Sequence, residues 1–182
     1  MVKKKLEIEL DFEIDKLTNS IENTLSGEIF ETEITKLSIN QAKQIKEAEW
    51  GFEWHKELKE PANEVYKLTT LNNITIIQGL ICFIDKGDHI FMPLIESAKF
   101  NKGKPKLYRG VTGNLVAYAC KISFERGYEG IVSFIAKSQL IEHYQQTLGA
   151  KRFGNSNRMF IDSKESHALV KQYFKNFIYG KL

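Results

Sequence analysis

The residues with the clearest chemical potential lie in one glycine-containing turn, Arg109-Gly110-Val111-Thr112-Gly113-Asn114, which precedes helical spacing from Leu115. Glycines let a backbone approach a ligand closely, and the first amides of a helix have no partner within the helix. The helix dipole adds partial positive charge at the same end. We therefore expect a site for an anionic, diphosphate-bearing ligand at this turn, with a plain turn as the alternative.

Basic side chains crowd the approach to this turn: Lys99, Lys102, Lys104, Lys106 and Arg109. Lys102, Lys104 and Lys106 are candidates for binding phosphate charge, and a solvated surface loop is the alternative. The 182-residue chain as a whole carries 26 basic and 23 acidic residues, a net charge of +3. That balance lacks the concentrated positive charge of a phosphate-tracking protein, so nucleic acid is not expected as a partner.

Strands must hold the turn in place, and three strand-like runs separated by turn residues lead up to it. They are residues 65–70, 74–84 and 89–98. Their spacing predicts an antiparallel meander. Beyond the turn, the pattern predicts a helix that starts near Leu115 and ends at Gly127, a buried strand at 130–136 and a helix at 138–149. Short runs near Arg152 and at Met159–Ile161 are expected to pair.

The flanking regions carry weaker patterns. Apolar residues alternate with acidic ones at the start of the chain, which predicts a half-buried strand; the apolar positions are Leu6, Ile8, Leu10, Phe12 and Ile14. A second alternation at Phe30, Thr32 and Ile34 predicts another strand. Ser38 with Gln41 forms a capping-box pattern, which predicts a helix toward Glu49. An apolar stripe predicts a C-terminal helix; it comprises Leu169, Val170, Tyr173, Phe174, Phe177 and Ile178.

This order of elements predicts a mixed α/β (α+β) fold. The expected architecture is a mostly antiparallel central sheet with helices on both faces and an extra C-terminal helix. Residues 1–182 are expected to form a single domain. Its parts are a core at 65–162, an N-terminal strand and helix region at 1–64, and the C-terminal helix at 163–180.

The turn and its context resemble the GNAT superfamily of acetyl-CoA-dependent N-acetyltransferases. That family has Gln/Arg-x-x-Gly-x-Gly/Ala at the start of a helix after its fourth core strand. The corresponding residues here are Arg109, Thr112 and Asn114, and Gly110 and Gly113 lie in the same turn. The segment HYQQTLGA also resembles the family's Tyr and Leu-Gly segment, with one extra residue before Leu-Gly. The resemblance covers roughly the last two-thirds of the chain.

The resemblance implies direct acyl transfer from acetyl-CoA to an amine, with no metal. A protonated amine cannot attack, so a base is required. Glu96 ends the strand that corresponds to the fourth core strand and is the candidate base; a carboxylate that caps the backbone or pairs with a lysine is the alternative. Backbone amides near Ile95 or Ser97 are implied to bind the oxyanion.

Tyr144 matches the family's tyrosine, which implies that it protonates the leaving thiolate; a packing residue is the alternative. The pantetheine arm is expected to run along backbone groups from Ser133 to Ala136. His143 is expected at the surface or in packing. The cluster of Trp50, Phe52 and Trp54 is expected in the core or a lid, with an acceptor pocket as the alternative.

The remaining features exclude several classes of protein. Cys82 and Cys120 lie in apolar runs without metal-ligand spacing, which indicates buried thiols in a reducing compartment. The scattered histidines do not suggest a zinc site. No signal peptide or membrane-spanning run is evident, so a cytoplasmic protein is expected. The leading function is therefore an acetyl-CoA-dependent N-acetyltransferase with an unknown small-molecule or peptide amine acceptor.

Two alternatives stay open. The first is a non-catalytic GNAT-fold protein that binds coenzyme A or another ligand as a sensor or as part of a complex. The second is an acetyltransferase that acts on charged tRNA, which the slight excess of basic residues allows.

Overall fold

The computed structural model describes residues 7–16 and 20–174. The strands, numbered along the chain, are β1 Ser20–Asn23, β2 Ile29–Leu37, β3 Asn63–Thr70, β4 Gly79–Asp85, β5 Ile90–Ser97, β6 Tyr108–Arg109, β7 Val132–Ile135, β8 Lys151–Arg152 and β9 Arg158–Ile161. In the described ranges they form one nine-stranded sheet with the order β6-β1-β2-β3-β4-β5-β7-β9-β8. Neighbouring strands are antiparallel except β5 and β7, which are parallel. The fold is therefore mixed α/β with a mostly antiparallel sheet, as predicted.

The α-helices are α1 Trp54–Lys59, α2 Val111–Glu125, α3 Ile141–Leu148 and α4 Ser163–Tyr173. They cover both faces of the sheet. Successive side chains of a strand point to opposite faces, so the packing partners of one strand show which helices lie on each face. On β4, Leu80 and Cys82 belong to the apolar cluster that contains Trp54 of α1. Ile81 and Phe83 belong to the larger cluster with α2, α3 and α4.

Several predicted elements are present. The meander of β3, β4 and β5 is antiparallel with continuous register, apart from an irregularity between Cys82 and Ile84. The alternation at Phe30–Ile34 lies in β2, and the two short runs near Arg152 and at Met159–Ile161 pair as β8 and β9. Both cysteines are buried, as expected.

The predicted helix from Ser38 toward Glu49 is wrong in form. The capping box is present, with the Ser38 amide donating to Gln41 Oε1 at 2.9 Å. The chain nevertheless forms two short 3₁₀ helices, Ile39–Gln44 and Glu47–Glu49, separated at Ile45. Ile45 adopts extended backbone angles and buries its side chain in the apolar cluster that contains Trp54 of α1, so tertiary packing overrides the helical pattern.

Two predicted boundaries also move. The run at 74–84 becomes a strand only from Gly79, since Ile74 and Ile76 are exposed in the connection that precedes it. Helix α2 begins at Val111 rather than near Leu115, with Gly110 at φ 97° as its first flanking residue. The left-handed angle of Gly110 turns β6 sharply into the helix.

At the C-terminal end, Asp162 caps α4 by accepting from the Glu165 amide. The helix ends at Tyr173; Phe177, Ile178 and the predicted stop at Gly180 lie outside the described residues, as does Leu6. Among the helices in the described ranges, none combines the length and apolar character needed to cross a bilayer.

Candidate functional site

The strands β5 and β7 diverge, and residues 7–16 lie between them; we refer to these residues as the N-terminal segment. The two strands pair only at Ile90–Val132 and Phe91–Ser133. Further along β7, the Leu10 amide donates to the Ile135 carbonyl at 2.7 Å, and the Lys137 amide donates to the Leu10 carbonyl at 2.9 Å. A parallel extended stretch of the same chain thus pairs with β7.

The apolar face of the N-terminal segment is part of the core. Leu10, Phe12 and Ile14 are 2%, 7% and 7% exposed, whereas the intervening Asp11 and Glu13 face outward. Burial of each such apolar side chain contributes roughly 1.5–3 kcal/mol, so the three together hold the segment by roughly 5–9 kcal/mol. The alternation predicted the buried face correctly at these three positions; Ile8 is 42% exposed.

Tyr144 lies under the N-terminal segment on α3. Its hydroxyl donates to the Phe12 carbonyl at 2.7 Å, and the Phe12 ring stacks on its ring at a centroid distance of 4.6 Å. Burial raises the pKa of Tyr144 well above its usual value. The adjacent His143 accepts from the Ile14 amide through Nε2 at 2.9 Å. Both residues therefore contact the segment's backbone.

The turn before α2 binds a carboxylate. The Gly110 amide donates to Asp15 Oδ1 at 2.8 Å, and Lys106 Nζ lies 2.7 Å from Asp15 Oδ2. The Thr112 hydroxyl donates to the Glu13 carbonyl. A helix N-terminus with an adjacent cation is a favourable place for an anion, and here the anion comes from the protein itself.

The second glycine of the turn is closely covered. A side chain at Gly113 would collide with the Tyr173 hydroxyl and would lie 2.8 Å from the Lys16 carbonyl oxygen. The Tyr173 hydroxyl in turn donates to that carbonyl at 2.7 Å. Tyr173, the last residue of α4, thus fixes the end of the N-terminal segment against the start of α2.

The other turn residues have different surroundings. Arg109 pairs with Glu22 on β1, which raises the pKa of its guanidinium. Val111 is buried, and a side chain added at Gly79 would lie 2.6 Å from its Cγ1. Asn114 is buried, and its Nδ2 donates to the Gly110 carbonyl at 2.6 Å. The side chain of Asn114 therefore supports the turn from inside.

Glu96, at the end of β5, is buried and receives hydrogen bonds from four donors. They are the amides of Gly51 at 2.6 Å and Phe52 at 3.3 Å, Trp54 Nε1 at 2.7 Å and Lys102 Nζ at 2.9 Å. A carboxylate offers about four lone-pair positions, so these donors satisfy it. This is the capping and lysine-pairing environment that was the alternative to a base.

A cavity of about 250 Å³ remains between the end of β5 and the N-terminal segment. Its lining includes Ile95, Glu96 and Ser97 on one side, with Phe12 and Glu13 on the other. Pockets that bind drug-sized ligands are typically about 300–1,000 Å³. With the segment in place, the cavity is therefore smaller than this range.

The remaining predicted residues divide between this site and the core. Ser133 lies on β7 with its hydroxyl oxygen buried and without a hydrogen-bond partner in the described residues. The Ala136 amide donates to the Asn157 carbonyl at 2.9 Å, and Ala136 bridges to Leu10. Lys104 is exposed, whereas Trp50 and Trp54 belong to the core on the α1 face. Within 7–16 and 20–174, no group of three His, Cys, Asp or Glu side chains could hold a metal ion.

Sequence reasoning missed Phe12, Asp15 and Tyr173 as parts of this site. The alternation that includes Phe12 indicated a buried face, but periodicity does not say which neighbours cover it. Asp15 follows that pattern directly, and no local signal connects it to a turn 95 residues later. Tyr173 was placed correctly on an apolar helical stripe without its hydroxyl partner.

Comparison of the sequence with protein-family models and with curated proteins finds no match. Solved structures are similar in fold. The AtaT–AtaR complex bound to DNA has a TM-score of 0.55 at 16% identity, covering 75% of this chain and 98% of that chain. AtaTR bound with AcCoA has a TM-score of 0.53 at 14% identity, covering 76% of this chain and 97% of that chain. A variant of spermidine N-acetyltransferase SpeG from Vibrio cholerae has a TM-score of 0.51 at 13% identity, covering 74% of this chain and 95% of that chain.

This chain has the GNAT fold. At these identities the similarity establishes the architecture alone. The GNAT fold predicted from the Arg109–Asn114 turn is thus confirmed, while the roles assigned to Glu96, Tyr144 and the turn stay predictions. What the sequence did not suggest is that residues 7–16 pair with β7 and contact the turn before α2.

Proposed function

We propose that this protein is an acetyl-CoA-dependent N-acetyltransferase that binds the cofactor between β5 and β7. The observation that carries the proposal is the carboxylate of Asp15, held by the Gly110 amide beside Lys106. An anion lies where the cofactor's diphosphate is expected, so the donors present there fit that group. The similarity in fold to a structure bound with AcCoA supports the same choice.

In this proposal the turn from Arg109 to Asn114 binds the diphosphate. Lys102, Lys104 and Lys106 contribute positive charge, and backbone groups from Ser133 to Ala136 bind the pantetheine arm. When bound, acetyl-CoA supplies an acetyl group activated as a thioester. The protein's own part is to bind, to orient and to transfer protons.

Glu96 is the proposed base. Three of its donors are fixed by the chain near Trp54, but Lys102 is on a flexible side chain that is 46% exposed. Movement of Lys102 into solvent would free one lone pair of Oε1, which still accepts from the Gly51 amide, to accept a proton from an acceptor amine. Glu96 also lines the cavity beside Ile95 and Ser97, whose amides are the proposed oxyanion donors.

Tyr144 is the proposed acid. Its hydroxyl already donates a hydrogen bond toward the space between β5 and β7, to the Phe12 carbonyl. Burial raises the pKa of Tyr144, so the phenol stays protonated at neutral pH and is a weaker acid than an exposed tyrosine. Its hydroxyl would therefore stabilise the leaving sulfur first by donating a hydrogen bond, with proton transfer following as negative charge develops there.

The second candidate is a non-catalytic GNAT-fold protein, and one observation favours it. Glu96 accepts from four donors, three of them near Trp54, which is the arrangement of a structural carboxylate. In that case the cleft serves packing or ligand sensing, and acyl transfer does not occur.

Acetyl-CoA binding tests the proposed site. We expect calorimetry at millimolar ligand to detect binding to the wild-type protein. Arg109→Glu, which puts a like charge beside the proposed diphosphate site, should weaken it about tenfold. The control is Arg152→Glu, the same charge change on β8 at the opposite edge of the sheet. Equal effects of the two variants would argue against the site.

Transfer is tested with a panel of small amines and peptides, and acetylated products are detected by mass spectrometry. A product that requires both acetyl-CoA and Tyr144 supports the enzyme. Heat of binding without any acetylated product across the panel would favour the non-catalytic candidate instead.

A further inference from the structure

The N-terminal segment supplies, group by group, the contacts that the proposed cofactor would need. The backbone of Leu10 pairs with β7 on both sides, at Ile135 and Lys137. The carbonyl of Phe12 receives the Tyr144 hydroxyl, and the carboxylate of Asp15 receives the Gly110 amide. Along the segment, the paired backbone of Leu10 is thus followed by the Phe12 carbonyl as a hydrogen-bond acceptor and then by the Asp15 carboxylate as an anion.

We propose that residues 7–16 are an internal competitor of acetyl-CoA and hold the enzyme closed until they leave the cleft. This inference rests on the proposed function and concerns the regulation of the same site. The two occupants exclude each other, because both require the Gly110 amide, the Tyr144 hydroxyl and the edge of β7. Acetyl-CoA then binds only the open form, in which the segment has left.

The observed contacts make this competition strong. The segment is anchored at three separate points by Leu10, Phe12 and Asp15, and Tyr173 holds its end at Lys16. When only a fraction of molecules is open, the apparent dissociation constant rises by the inverse of that fraction. Each tenfold decrease in the open population therefore weakens the apparent affinity tenfold.

Two chemically different variants should loosen the segment in the full-length protein. Asp15→Ala removes the carboxylate from the turn, and Phe12→Ala removes the ring that stacks on Tyr144. Both should bind acetyl-CoA about tenfold more tightly than wild type, although each loses native contacts. Glu9→Ala is the matched control, because Glu9 is on the same segment with an exposed side chain. Circular dichroism establishes that each variant is folded.

Hydrogen exchange supplies a readout that is independent of activity. The Leu10 amide is hydrogen-bonded to β7 in the closed form. Saturating acetyl-CoA should make the amides of residues 7–16 exchange faster, while the amides of β3 and β4 stay protected.

The outcomes separate this inference from the proposed function. Unchanged protection of residues 7–16 in the saturated complex overturns the competition and leaves the enzyme intact, as does equal affinity of wild type, Asp15→Ala and Phe12→Ala. No acetyl-CoA binding by any of these folded proteins at millimolar ligand overturns both proposals.

Discussion

The indole nitrogen of Trp54 donates a hydrogen bond to Glu96 Oε2 at 2.7 Å, and both side chains are buried. This bond joins α1, on one face of the sheet, to the end of β5, where the cavity opens. The position of Glu96 is therefore fixed by a residue on the face of the sheet opposite to α2. A substitution at this carboxylate should thus affect both the stability of the fold and the proposed proton transfer.

Trp54→Phe should lower the free energy of unfolding by about 2 kcal/mol, since a hydrogen bond to a buried charged group is lost while most ring packing remains. Urea unfolding measures the change. Trp50→Phe is the control for losing an indole from the same apolar cluster. A loss no larger than the control's would show that the Glu96 bond contributes little.

Glu96→Gln should lower the free energy of unfolding by about 3 kcal/mol, because an amide cannot accept from all the donors that surround the carboxylate. As the proposed base, it should also lower kcat about 100-fold or more in the folded protein. Lys102→Met is the comparison: it removes one donor, whose side chain is 46% exposed, and should cost less than Glu96→Gln, because the three donors near Trp54 remain. Retention of kcat in folded Glu96→Gln would assign Glu96 a purely structural role.

Tyr144→Phe should lower kcat about 100-fold and leave the acetyl-CoA dissociation constant unchanged or lower. The second effect is expected because the segment loses its bond at Phe12. The free energy of unfolding should fall by about 1 kcal/mol. Tyr128→Phe, which loses a hydroxyl bond to Asp85 on the far side of the molecule, is the control. A weakened affinity with normal kcat would contradict the acid role.

Glu64 should make stability depend on acid pH. Two bonds from Arg126, at 2.6 and 2.7 Å, together with Lys36, lower the pKa of its carboxyl to about 2 from 4.5. A carboxyl with a depressed pKa stabilises the fold fully above its unfolded pKa, and that contribution is lost as the pH falls from about 4.5 to 2. Glu64→Gln should remove a contribution on the order of 2 kcal/mol at pH 7.

Thermal unfolding between pH 7 and pH 2 measures this dependence. The wild-type protein should lose more stability below pH 4.5 than Glu64→Gln does. Glu125→Gln is the control, because Glu125 forms an exposed pair with Lys121 one helical turn away. Parallel stability curves for wild type and Glu64→Gln would refute the role of Glu64.

The sequence was informative where one residue's surroundings follow from its near neighbours. Alternation identified the buried positions Leu10, Phe12 and Ile14, and the glycine turn indicated a helix close by, although α2 begins at Val111 rather than near Leu115. Sequence was uninformative where distant segments meet. Three of the four donors to Glu96 come from 42 to 45 residues earlier in the chain, and no local pattern joins them to it. Ile45 illustrates the same limit, because its burial beside Trp54 ended a helix that the capping box had begun.

The partners of the N-terminal segment lie far along the chain, with separations of 129 residues for Ile14–His143, 132 for Phe12–Tyr144 and 157 for Lys16–Tyr173. During synthesis, residues 7–16 are made before α3 and α4 and cannot dock until those helices exist. The apolar side chains of this segment therefore stay uncovered until the later helices are made, a period in which they are exposed to aggregation or to chaperones.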